Sequence, residues 1–135
     1  MDKELIIKHL EFLEDIIKRL EDNSFKIKGW TITLVTAILG ILASKDLLTR
    51  KYTSILIVPI LGFALLDSYY LNQGRGFREK YNKIVEDFNK KNFNNLILFD
   101  LNPEKIKYGF LKALKSKSIL GTYLILIILM LVVVA

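Results

Sequence analysis

The segment LILIILMLVVVA, Leu124 to Ala135, offers no polar face at either the helical or the strand period. A water-facing element needs such a face, so this stretch calls for an apolar surround. It belongs to the last of three apolar blocks. The first, GWTITLVTAILGILAS, runs from Gly29 to Ser44, the second, TSILIVPILGFALLDSYYL, from Thr53 to Leu71, and the third from Ile119 to Ala135. A helix crossing a hydrocarbon core about 30 Å thick needs roughly 17 to 25 mainly apolar residues, each advancing about 1.5 Å. The second and third blocks are long enough as they stand. The first is long enough if its helix begins in Phe25-Lys26-Ile27-Lys28, with the lysine stems along the apolar surface and the ammonium groups at the headgroups. Leu47 and Leu48 offer an extension at its other end. Pro59 and Gly62 are tolerated inside a packed transmembrane helix and permit a kink there. The expected fold is all-α: an integral membrane protein with three transmembrane helices plus amphipathic cytoplasmic helices. Its parts would be a cytoplasmic helix (1–28), a transmembrane hairpin (29–71), a basic helical region (72–118) and a last transmembrane helix (119–135).

Charge sets the expected orientation. Of 20 Lys and Arg residues, six precede the first block, three lie in the Lys45 to Tyr52 turn, and eleven separate the second block from the third. The positive-inside rule then puts the N-terminus and residues 72–118 in the cytoplasm, and the short turn and the C-terminus outside, in the inner membrane of a bacterium. The opening MDKELIIKHLEFLEDIIKRL mixes charged and apolar residues throughout and lacks the uninterrupted apolar core of a cleavable signal.

The segments outside the apolar blocks also read as helices. Ile6, Leu10, Leu13, Ile17 and Leu20 form a heptad-like seam, widened by Leu5, Phe12 and Ile16. Three destinations are open for that seam: helices of its own subunit, the headgroup plane, or a second subunit. Phe77, Tyr81, Ile84, Val85 and Phe88 make another stripe, continuous with Leu66, Tyr70 and Gly74. One long helix leaving the membrane would fit, or a break at Gly74 and Gly76, each costing about 1 kcal/mol relative to alanine. Leu96 to Phe99 reads as a buried loop or a short strand, and Asn102-Pro103-Glu104 as a helix start.

Catalytic chemistry has little to draw on. The chain has no cysteine and one histidine, and it carries no metal-ligand cluster, phosphate loop or nucleophile elbow, so it reads as a non-enzyme without a cofactor. Binding is better supplied. A net charge of +6 suits an anionic partner. Arg75 and Arg78 share a helix face at the membrane surface; Lys26 and Lys28 lie at the same depth, and Lys83 further along. Arginine forks suit phosphate, whether in a built anion site or in ordinary contact with lipid headgroups. Thr33, Thr36, Gly40 and Ser44 line one side of the first span, either as a close-packed subunit seam or as a pore lining. Asp67 lies about one turn inside the boundary marked by Tyr69 and Tyr70, where an ionisable group is costly and usually paired. Lys26, Lys28 and Arg75 are the candidate partners.

KGWTITLVTAILG, a short turn, an apolar span and then LLDSYYLNQGRGFREKYN resemble a group of small bacterial multi-span membrane effectors of antiphage defence. The Hailong-type channel subunit and the transmembrane effectors of cyclic-oligonucleotide systems are of this kind. The resemblance covers roughly Phe25 to Asn89. It implies a homo-oligomeric pore in the bilayer, opened by a nucleotide or short oligonucleotide. Two other roles fit the residues: an adaptor recruiting a cytosolic partner through the N-terminal helix, and a holin-like toxin needing no ligand.

Overall fold

The computed structural model describes residues 3–91 and 109–134, and every regular element among them is helical. The readings made above for Leu96 to Phe99 and for Asn102-Pro103-Glu104 lie outside the described residues. Helix α1 spans Lys3–Ser44, 42 residues, hence about 63 Å. It contains no proline, and neither Gly29 nor Gly40 interrupts it, so the supposed boundary between residues 1–28 and the first span is continuous helix. Asp46 closes α1 in the left-handed region at φ 55°. The Leu47 amide donates to Leu42 O at 2.8 Å and the Asp46 amide to Ala43 O at 3.2 Å, the paired bonds of a Schellman stop.

A short helix α2, Arg50–Thr53, and a 3₁₀ turn, Ser54–Leu56, lead into α3, Ile57–Asn89. Pro59 explains the irregular entry: it has no N–H for Ile55 O and its ring crowds that carbonyl. The regular ladder therefore starts at Ile57, with Pro59 in the first turn of α3. From there α3 runs 33 residues, straight through Gly74, as one helix rather than two. Helices α4, Gly109–Leu114, and α5, Lys117–Val134, complete the described fold.

Helices α1 and α3 pack antiparallel over most of their lengths. The inward face of α1 is Ile6, His9, Leu13, Ile17, Ser24, Ile27, Thr31 and Val35. Filled in by half-buried Leu20, these positions advance by about 3.6 residues, the period of a straight helix. The buried residue of the second turn is consequently His9, fully enclosed, whereas Leu10 is only partly covered. At one end Ile6, Leu13 and Ile17 meet Phe77 and Ile84, so the seam is covered by α3 of the same chain. At the other end α5 joins, and Val35, Leu56, Ile60, Ala64, Ile119, Tyr123, Leu126 and Met130 form a three-helix core.

Outside that core the surface is apolar. Ile55, Val58, Ile125, Ile128 and Val132 are each more than half exposed. On α5 the stripe Ile119, Tyr123, Leu126 and Met130 is buried by protein, with Ile127 partly covered beside it. Three helices are long and apolar enough to cross a bilayer, and lipid is the surround that suits such a surface. Trp30 and Tyr69, 63% and 50% exposed, sit at the level where the apolar surface gives way to charge, as interfacial aromatics do.

Gly74 faces Leu20, and a Cβ built there would lie 3.8 Å from Leu20 Cβ, an ordinary contact. Gly74→Ala is therefore expected to stabilise the α1–α3 pair by about 0.5–1 kcal/mol through helix propensity alone. The check is a rise in the thermal midpoint of the detergent-solubilised protein.

Candidate functional site at the basic end of the bundle

Between the two apolar cores lies a polar layer built from all three long helices. Ser24 and Lys28, one turn apart on α1, face Asp67 of α3, which is fully buried. Lys28 Nζ donates to Asp67 Oδ2 at 2.5 Å and to Ser24 Oγ at 2.9 Å. Ser24 in turn donates its hydroxyl to Asp67 Oδ1. Tyr123 of α5 donates to Asp67 Oδ2 at 3.0 Å. The carboxylate thus receives three donors, one of them a cation, and the layer carries no net charge. Removing an ion pair from water costs several kcal/mol per ion, and only such multiple, well-directed bonds offset it. The Asp67 carboxylate itself is fully enclosed, and the layer meets open space at Ser24.

Lys28 reaches this layer because α1 does not stop at the membrane surface. With its charge compensated, the first span extends back toward Ser24 at full length. The ammonium turns inward to Asp67, and its side chain is 16% exposed. Lys28 is accordingly committed to Asp67 and is not part of an open anion-binding mouth.

Beyond the layer, a cavity of about 380 Å³ opens between α1 and α3, lined by Ser24, Tyr70, Gly74, Arg75 and Arg78 among others. Its size falls within the range of small-molecule sites. Ser24 is shared, so the wall of the cavity is also part of the Asp67 layer. Arg78 donates to Glu21 at 2.5 Å across the α1–α3 seam. Both side chains are more than half exposed, so the pair contributes little to stability and is readily exchanged. Arg75 differs: its Nη1 is buried and has no hydrogen-bond partner among the described residues. A buried guanidinium nitrogen without an acceptor is expensive, which marks this as a place where an acceptor is wanted.

The other residues singled out from the sequence do not converge here. Lys26 is exposed and lines a groove of about 120 Å³ with Trp30, Leu66 and Tyr70, apart from the Arg75 cavity. Lys83 lies eight residues past Arg75, about 12 Å further along α3. Thr33, Thr36, Gly40 and Ser44 are all exposed and touch neither core. Thr33 and Ser44 bond their own helix, at Gly29 O and Ile41 O, and a Cβ added to Gly40 would meet nothing within 4 Å. That face is open to lipid or to a neighbouring molecule.

Sequence reasoning missed Lys112, Lys115 and Lys117, which line a second cleft that also reaches Arg75. The available signal was depth: Lys117 opens α5 just as Arg75 leaves the second apolar block. Tyr123 was missed as well, since a tyrosine in an apolar block carries no sign of its partner.

Breaking the pair from one side leaves a buried charge. Lys28→Met or Asp67→Leu alone is expected to cost about 3–5 kcal/mol, and the double variant to recover a large part of that loss. Thermal melts of the four proteins in one detergent measure the coupling.

Comparison with known protein families, curated proteins and solved structures finds no match for this chain.

Proposed function

We propose that the chain is a subunit of an oligomeric pore in the bacterial inner membrane, opened by an anionic ligand of the nucleotide or oligonucleotide class. The basic end, by the positive-inside rule, lies in the cytoplasm. The observation that carries the reading is Arg75, whose Nη1 is buried without a partner among the described residues, on the wall of a cavity that touches the Asp67 layer. An anion entering that cavity satisfies Arg75 and displaces Glu21 from Arg78. It thereby favours an α1–α3 arrangement different from the ligand-free one, and a ligand shifts an equilibrium only through such a difference. Ser24 transmits the change to Asp67 and so to α5.

The exposed strip of Thr33, Thr36, Gly40 and Ser44 supports assembly, because small residues let helices of neighbouring subunits approach closely. A role in antiphage defence rests on the resemblance of the KGW-entered hairpin and its LLDSYYLNQGRGFREKYN exit to membrane effectors of that kind. The adaptor reading is weaker, since Ile6, Leu13 and Ile17 are already engaged by α3.

Liposomes carrying the purified protein are expected to conduct or leak only when short oligonucleotides or nucleotides are added. Arg75→Gln is expected to weaken the response about tenfold or more, the usual loss for a hydrogen bond to a charged group. A monomer in detergent that passes no current with any such ligand contradicts the pore. Leakage without ligand would point instead to a holin-like toxin.

A further inference from the structure

The cleft between α3, α4 and α5 has a different character from the Arg78 cavity. It measures about 550 Å³ and is lined by Arg75, Leu111, Lys112, Lys115, Ser116 and Lys117. Four of those six residues are cations and none is an acid. In contrast, Glu21 lines the 380 Å³ cavity, and Glu14 joins it in the smaller one beside Tyr81. Among the described residues no carboxylate is bonded to Arg75, Lys112, Lys115 or Lys117. Four cations that crowd one cleft without a counter-charge among the described residues repel one another, and a bound anion relieves that repulsion.

Its depth and its apolar wall narrow the choice of anion. Tyr123 touches Asp67, so these two residues mark one level of the bundle. Lys117 lies six residues from Tyr123, about 9 Å along α5, and Arg75 eight residues from Asp67, about 12 Å along α3. Both therefore stand a few ångströms beyond Leu71, the last residue of the second apolar block, at the depth where the expected membrane placement puts lipid phosphates. Leu111 is 61% exposed beside these cations. A small soluble anion would leave that leucine in water. An amphiphile covers it with the start of an acyl chain while its phosphate lies among the cations.

We propose that this cleft binds an anionic phospholipid, with Arg75 forking onto the phosphate, Lys112, Lys115 and Lys117 supplying the charge, and Leu111 meeting the glycerol and upper acyl chain. The uncompensated charge selects phosphatidylglycerol-like headgroups over zwitterionic ones. The site shares only Arg75 with the ligand cavity of the proposed pore and does not require that pore.

The test is lipid binding to the full chain in detergent, followed by native mass spectrometry during titration with phosphatidylglycerol or phosphatidylcholine. Phosphatidylglycerol is expected to bind preferentially. Lys112→Gln combined with Lys115→Gln should weaken it roughly tenfold or more, while Lys45→Gln with Lys51→Gln, which removes equal charge at the hairpin end, leaves it unchanged. Equal binding of the two lipids overturns the proposal. So does an unaltered affinity in the Lys112, Lys115 variant, or displacement of the lipid by millimolar inorganic phosphate or a mononucleotide, which would make this a soluble-anion site. Because the Lys112, Lys115 variant leaves Arg78 and Glu21 intact, its ligand-dependent conductance separates failure of this site from failure of the pore.

Discussion

The Asp67 carboxylate has to be neutralised by its own chain, because it is fully enclosed and an unpaired buried charge is costly. Lys28, Ser24 and Tyr123 meet that demand from two other helices. Apolar packing between transmembrane helices is weakly directional, since lipid tails compete with side chains on equal terms. A carboxylate with three fixed donors is directional. It sets the rotation of α1 about its axis, the height of α3 beside it, and the point at which α5 joins the pair.

Much of the remaining architecture follows from that one layer. With Lys28 held inward, α1 passes through the membrane surface without a break and carries the Ile6, Leu13, Ile17 face onto α3. The same rotation turns Thr33, Thr36, Gly40 and Ser44 away from the bundle. Directly beyond the layer, α1 and α3 enclose the first cavity, and α3 with α4 and α5 encloses the second. Arg75 stands on the wall of both. Arg75 thus lies about 12 Å along α3 from the polar layer that links α1, α3 and α5.

The three spans were legible because apolar length is a property of consecutive residues, and so was the stripe from Phe77 to Phe88 on α3. The cost of burying Asp67 was legible too, and Lys28 stood among its three candidate partners without being singled out. Lys28 lies 39 residues away, and nothing in local spacing separates it from Lys26, which faces elsewhere. The continuity of α1 was obscured because amphipathic and apolar stretches obey different patterns while forming one helix. His9 replaced Leu10 in the buried seam because a straight helix drifts against a heptad repeat. The lysines of α4 and the start of α5 were invisible as a group, since only tertiary contact brings them to Arg75.

Cysteine reactivity along α3 tests the depth of the Asp67 layer most directly, and the chain's lack of native cysteine makes single replacements clean. Leu66 adjoins Asp67 and is 43% exposed on the bundle surface. In proteoliposomes, Leu66→Cys should be shielded by lipid and react with a water-soluble maleimide far more slowly than Arg78→Cys. Equal rates at the two positions would put the Asp67 layer in water and contradict the account.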